Sequence, residues 1–210
     1  AALGIHVANP RLKTIVVTGE GDCYGEGGNH FLHALRRNPN ITVVVHNNGY
    51  YALTKGQASP TTRVGEKRSL QVNGVEIAPL NMPAIAIVHD CTLVARGFAG
   101  DGDHLKSLLM EAITHPGLSI VEVIQPCITW GKHPVGWYRE RIYNLGDDHD
   151  PLANRTLHAM QLNRHGTLLG EGHPPREVSG FYRLREAPWS TGIGTATNRT
   201  KKNRPSSARR

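Results

Sequence analysis

Two oxygen-bearing side chains, Glu20 and Asn48, stand 28 residues apart, and each follows a short apolar run. Thr14-Ile15-Val16-Val17-Thr18 leads to the first, and Ile41 to Val45 leads to the second. Mg²⁺ takes near-octahedral oxygen coordination and is usually held by few protein ligands together with phosphates. A carboxylate at one strand tip and an amide oxygen at its neighbour's tip would flank such an ion. Gly19 and Gly21 let the backbone approach a ligand closely. A helix start near Gly27-Gly28 would point free N–H groups at phosphate oxygens. The stretch therefore reads as a cradle for a divalent ion and a diphosphate.

The elements that position these residues follow from the flanking pattern. The spacing predicts a glycine-rich turn after Thr18, a helix over Asn29 to Arg37 ending near Asn38-Pro39, and a second buried strand at Ile41 to Val45. Short, nearly all-apolar strands alternating with helices predict a doubly wound, mostly parallel α/β sheet. Ligands of such sheets sit beyond the carboxyl ends of the strands, where Glu20 and Asn48 fall. Gly49 to Pro83 reads as a long polar loop with turns at Ser59-Pro60 and Asn73-Gly74. Ala84 to Val88 and Thr92 to Ala95 read as two strands, or as a strand and the start of a helix. Asp103 is expected to cap a helix from His104 to about Thr114, with Leu105, Leu108, Leu109 and Ala112 on one face. His115-Pro116-Gly117 ends it, and Ser119 to Ile124 is a further apolar strand. A helix is expected from Asp150-Pro151 through Met160. The domain reading is a cradle domain over 1–145, an irregular C-terminal extension over 146–187 and a basic tail over 188–210.

Composition narrows the function classes. An apolar fraction of 39% and a charged fraction of 20% suit a water-soluble domain. No apolar run nears the roughly 20 residues of a membrane span. The formal charge of +7 lies mostly in the tail, where Arg199, Lys201, Lys202, Arg204, Arg209 and Arg210 leave the rest near +1. The tail reads as a solvated, disordered end rather than a nucleic-acid grip. Three unpatterned cysteines, Cys23, Cys91 and Cys127, without a secretory signal, point to a reducing cytoplasm. The chain opens on Ala1-Ala2-Leu3 rather than Met, as a truncated or processed chain would.

The words around the cradle are more specific than the cradle. GEGDCYGEGGNHFLHALRRN, VVVHNN and LTKGQASPTT resemble the β subunit of 2-oxoacid:ferredoxin oxidoreductases, with HVANP, VARGFAGD and VEVIQPCITW as further matching blocks. The resemblance spans roughly residues 6 to 151. It implies a thiamine-diphosphate-binding fold and oxidative decarboxylation of a 2-oxo acid to acyl-coenzyme A, with electrons passed to ferredoxin. It also implies an α subunit as partner, which would supply the carboxylate that activates the cofactor. By the same resemblance Glu20 stands for the Mg²⁺-binding carboxylate, usually Asp. Asn48 is the side-chain oxygen ligand and Tyr50 the backbone-carbonyl ligand. Gly21, Asp22, Ala52 and Leu53 contact the cofactor. Lys55 is associated with coenzyme A and the substrate entrance, and Cys127 is the last ligand of a [4Fe–4S] cluster. Glu for Asp lengthens the ligand arm by one methylene. The other cluster cysteines lie upstream of the HVANP-like block in the family, so they are absent here by truncation or because this branch lacks the cluster. Two other readings share the cradle: a non-oxidative thiamine-diphosphate decarboxylase subunit, and a degenerate binding module without catalysis.

Other chemistry-bearing residues read as ordinary structure. Gly100-Asp101-Gly102-Asp103 matches the cofactor motif more literally, but no Asn-Asn follows at the needed distance, so it reads as helix punctuation. Cys23 and Cys91 read as small buried thiols. His30 and His33 share a helix face and read as packing residues rather than zinc ligands. Asp147, Asp148, His149 and Asp150 read as a solvated loop.

Overall fold

In the computed structural model, which describes residues 1–144 and 177–183, the chain opens with helix α1 (Ala2–Ala8) and enters strand β1 (Thr14–Gly19). One turn of π-helix (Gly21–Glu26) follows, then helix α2 (Gly28–Arg37) and strand β2 (Ile41–Asn47). A two-rung hairpin of β3 (Tyr50–Tyr51) and β4 (Gln57–Ala58) opens the long polar segment. Helix α3 (Met82–Val88), strand β5 (Leu93–Phe98), helix α4 (Gly102–Thr114) and strand β6 (Ser119–Ile124) complete the main layers. A short helix α5 (Val135–Arg139) and strands β7 (Ile142–Asn144) and β8 (Glu177–Arg183) come last.

The main sheet runs β1-β2-β6-β5-β8-β7. β1, β2, β6 and β5 are mutually parallel, and β8 pairs antiparallel to β5. Chain order departs from spatial order where β6 inserts between β2 and β5, as a doubly wound sheet requires. Phe31 and Leu35 of α2 and Met82, Ala86 and Ile87 of α3 cover one face with Ile41, Val43, Val45, Val94 and Ile120. Leu108 and Ala112 of α4 cover the other with Val44, Leu93, Ala95, Val121 and Val123. Every residue of β5 and β6 is buried, which is why their sequences run apolar instead of alternating.

Four expectations change. Ala84 to Val88 is helical: Asn81 Oδ1 accepts the Ala84 N–H at 3.1 Å, and Pro83 sits in the first turn, where its missing N–H costs nothing. The cap of α4 is Asp101, whose side chain accepts the His104 N–H at 3.2 Å; Asp103 lies in the first turn. The glycine-rich turn is helical, and the Gly27 N–H donates to the Asp22 carbonyl at 2.6 Å instead of facing a phosphate. The extension expected to be irregular contributes β8 to the sheet. His30 and His33 are exposed on α2. The helix expected at 150–160, the acidic loop at 147–150 and the tail at 188–210 lie outside the described residues. Among the described residues no helix is long and apolar enough to cross a membrane.

Candidate functional site

β1 and β2 run side by side in register, with Gly19 opposite His46. Glu20 follows directly on β1 and already has helical backbone, as the cap of the π-helical turn, while Asn48 follows directly on β2. Gly49 turns the chain at φ +77°, a conformation that suits glycine. Asn48 Oδ1 accepts the Tyr50 N–H at 2.8 Å, an Asx turn that fixes its side chain. Asn47 Oδ1 accepts the Gly49 N–H at 3.2 Å and the Thr61 hydroxyl at 2.9 Å. Its Nδ2 donates to Glu122 Oε1 at 3.1 Å.

Glu20 is buried at 2% exposure. Burial raises its pKa; hydrogen bonds from the Ser59 hydroxyl, the backbone and the Thr61 hydroxyl offset part of this. Buried carboxylates are ordinarily paired with a cation or bound to a metal. Glu122, also buried, has its cation: Arg96 Nε lies 2.5 Å from Oε2, and the Tyr24 hydroxyl donates to Oε1 at 3.1 Å. Among the described residues no lysine or arginine pairs with Glu20. Its donors are neutral, so burial favours the protonated carboxyl, and a bound cation would favour the ionised form. Glu20, the Asn48 amide and the Tyr50 carbonyl offer oxygen donors only, the chemistry that would suit Mg²⁺. Among the described residues no group of three or more His, Cys, Asp and Glu gathers, so this is not a closed protein cage and phosphate oxygens would fill the remaining positions. The residues fit a Mg²⁺–diphosphate.

The expected residues are brought together only in part. Asn48 and Tyr50 line a cavity of about 100 Å³ with Asn47, Thr61, Arg63, Glu66, Arg96 and Glu122. Glu20 lies behind its wall, one hydroxyl away: Thr61 Oγ1 is 3.3 Å from Glu20 Oε1. The space above Gly21 is filled by the Tyr51 ring, whose hydroxyl donates to the Gly21 carbonyl at 3.2 Å. A Cβ at Gly21 would stand 2.4 Å from that ring, so this glycine makes room for the protein's own tyrosine. Asp22 is exposed, Ala52 half-buried and Leu53 99% exposed.

Lys55 lies at the tip of the hairpin at φ +77°, a strained backbone for a side-chain-bearing residue. It lines a second, open cavity of about 390 Å³ with Gly56, Lys67, Arg68 and Trp130. Arg68 reaches Glu66 at 2.6 Å, the Trp130 carbonyl at 3.0 Å and the Tyr50 ring centroid at 3.7 Å. The Trp130 N–H in turn donates to Cys127 Sγ at 3.3 Å. The loop holding Cys127 is thus joined to the hairpin holding Lys55. A [4Fe–4S] cluster takes four thiolates. Cys91 is buried against the Leu93 and Leu118 carbonyls, and Cys23 is half-buried with its thiol pushed up to about 12, chiefly by burial. The cysteines present do not assemble a cluster.

Sequence reasoning missed Asn47, Thr61, Glu66, Arg68 and the Arg96–Glu122 pair. A signal for the last was there: single charges inside Leu93–Phe98 and Ser119–Ile124, strands otherwise without charge, imply a buried pair.

Comparison with known proteins bears on the family and the fold. Residues 1–123 match the family model "Thiamine pyrophosphate enzyme, C-terminal TPP binding domain". The chain is 46% identical over 158 residues to the 2-oxoacid:ferredoxin oxidoreductase subunit beta of Saccharolobus solfataricus, covering 73% of this chain and 52% of that protein. It is 48% identical over 156 residues to 2-oxoacid:ferredoxin oxidoreductase 1, subunit beta, of Aeropyrum pernix, covering 72% of this chain and 49% of that one. The chain thus spans about half the length of these curated relatives. A solved 2-oxoglutarate:ferredoxin oxidoreductase from Magnetococcus marinus, with 2-oxoglutarate, coenzyme A and succinyl-CoA bound, superposes with a TM-score of 0.79 at 33% identity, over 89% of this chain and 62% of that one. The sheet and these matches agree: the chain belongs to the family of thiamine pyrophosphate enzymes, in their C-terminal TPP-binding domain, and is similar there to β subunits of 2-oxoacid:ferredoxin oxidoreductases.

Proposed function

We propose that the chain is the thiamine-diphosphate- and Mg²⁺-binding part of a 2-oxoacid:ferredoxin oxidoreductase β subunit. With an α subunit it would decarboxylate a 2-oxo acid oxidatively, deliver the acyl group to coenzyme A and pass electrons to ferredoxin. The observation that carries this reading is Glu20, a carboxylate buried without a cation at the tip of β1, beside the Asn47-Asn48 tip of β2. Glu20, Asn48 and the Tyr50 carbonyl would hold the ion. The names of the relatives support the reaction class, and no membrane-spanning helix among the described residues is compatible with a cytoplasmic setting.

When bound, thiamine diphosphate supplies the carbon nucleophile and electron sink that decarboxylation needs. The chain's own residues bind and orient. Gly21, Asp22, Ala52 and Leu53 are the proposed contacts to the cofactor; Asp22 and Leu53 are exposed, Ala52 is half-buried, and Gly21 is buried under the Tyr51 ring, which would have to move aside. Lys55, with Lys67 and Arg68 at the same cavity, presents positive charge to an anionic ligand, which suits the phosphates of coenzyme A. Cys127 would furnish one thiolate of a cluster whose other ligands lie outside this sequence.

Calorimetric titration with thiamine diphosphate tests the reading. Saturable binding that requires Mg²⁺ and is lost in Glu20→Ala is expected. Binding that ignores Mg²⁺, or survives Glu20→Ala intact, would overturn it.

A further inference from the structure

The turn that carries Asn48 is held from outside by a second loop, through two neighbouring threonines. Thr61 Oγ1 lies 2.9 Å from Asn47 Oδ1 and 3.3 Å from Glu20 Oε1. Thr62 Oγ1 donates to the Gly49 carbonyl at 2.6 Å and accepts the Ser59 N–H at 2.7 Å. Asn48 sits between the two residues so tied. Thr61 is itself fixed, because its N–H donates to Ser59 Oγ at 3.3 Å. Residues 59–62 therefore form a preset staple over the tips of β1 and β2.

A hydroxyl carries one proton and two lone pairs. Its proton is shared between two acceptors, Asn47 Oδ1 at the shorter distance and Glu20 Oε1 at the longer. The Glu20 oxygen is left with a longer, shared contact and with electron pairs to give to an ion. The other side of Asn47 is locked by Glu122, so the staple reaches from a rigid buried pair out to the carboxylate.

We propose that Thr61 is the positioning residue of the ion site: its hydroxyl ties the Glu20 carboxylate to Asn47 and sets the gap between the two strand tips. This rests on the assignment of Glu20 and Asn48 as ion ligands. Thr62 reaches neither Glu20 nor Asn47: its buried hydroxyl contacts the Gly49 carbonyl and Ser59, and belongs to the fold of the turn. Thr61 is half-buried on a loop, and its hydroxyl is what links the two tips.

The test uses the full chain with Mn²⁺ as probe, the free ion counted by electron paramagnetic resonance at saturating thiamine diphosphate. Thr61→Val keeps the shape and removes the hydroxyl; Thr61→Ser restores it. Thr61→Val, and Thr61→Ala as a second deletion, should weaken Mn²⁺ binding about tenfold, the scale of a hydrogen bond to a charged group. Thr61→Ser should bind within about twofold of the parent. Melting curves should show all four proteins folded at the assay temperature, with Thr61→Val and Thr61→Ala melting somewhat lower for the bonds they lose. Unchanged Mn²⁺ affinity in Thr61→Val and Thr61→Ala overturns the proposal, and so does a Thr61→Ser protein as weak as Thr61→Val. A parent chain that takes up no Mn²⁺ with thiamine diphosphate instead removes the ion-site assignment and this inference with it.

Discussion

The Asn47 side-chain amide donates to the Glu122 carboxylate at 3.1 Å, so the turn at the tip of β2 is anchored to a charge inside the sheet. That charge is balanced by Arg96 on the neighbouring strand, with β5 and β6 in register at Arg96 and Glu122. Removing one member of a buried pair leaves the other desolvated and alone, at a cost of about 3–5 kcal/mol. Arg96→Met should therefore destabilise strongly in urea titrations. Adding Glu122→Gln should recover part of the loss, and a double variant no better than the single would contradict the pairing.

Lys55 makes one prediction for stability and another for binding. Its φ of +77° costs a side-chain-bearing residue about 1 kcal/mol, a strain glycine escapes. Lys55→Gly should leave stability within about 0.5 kcal/mol of the parent, because relief of the strain is offset by the greater unfolded-state entropy of glycine, while weakening affinity for coenzyme A, read by denaturation and by calorimetry. A variant that binds coenzyme A as tightly as the parent would separate Lys55 from that ligand.

Burial raises the Glu20 pKa, and the sign of the pH effect follows. The folded, ion-free protein holds this proton more tightly than the unfolded chain does. The associated stability is complete below the ordinary carboxylate range and is lost as pH rises through the raised value. Glu20→Gln should flatten that loss in the ion-free protein. Mg²⁺ with thiamine diphosphate should offset it in the parent and not in the variant. Urea midpoints measured across pH, with and without the cofactor, check both.

The three thiols should differ in reactivity. Burial pushes Cys23 and Cys91 up to about 12, with nearby carboxylates adding to the effect at Cys23. Both stay protonated and inert at pH 8, since the thiolate is the nucleophile. Cys127 lies in the loop after β6, where its sulfur accepts the Trp130 N–H. Titration with a thiol reagent at pH 8 should modify one cysteine in the native protein, at Cys127, and all three after denaturation.

The parts legible in the sequence were those with a period or a punctuation mark. β1, α2, β2 and β6 stood where apolar runs and flanking Asn, Pro and Gly placed them; burial on both faces leaves β6 little choice of residue, whereas Ile15 and Val17 of β1, at the sheet edge, are exposed despite their apolar run. Ala84 to Val88 was not legible as helix: five apolar residues in a row fit a buried strand as well, and the deciding features, Asn81 as cap and Pro83 in the first turn, lie just before it. Glu20 and Asn48 were legible as strand-tip oxygens. The bond from Asn47 to Glu122 was not, because strand register depends on pairing that a single chain of letters does not carry. Thr61 was hidden for a different reason. It lies 41 residues from Glu20 in a polar loop, where threonine is ordinary, and only the folded loop brings its hydroxyl to the carboxylate.

The most direct measurement is a crystal structure of the chain with Mg²⁺ and thiamine diphosphate. The account predicts one ion bound by a Glu20 oxygen, Asn48 Oδ1, the Tyr50 carbonyl and diphosphate oxygens, each at about 2.1 Å. An ion held by the diphosphate alone, with Glu20 still enclosed behind Thr61, would contradict it.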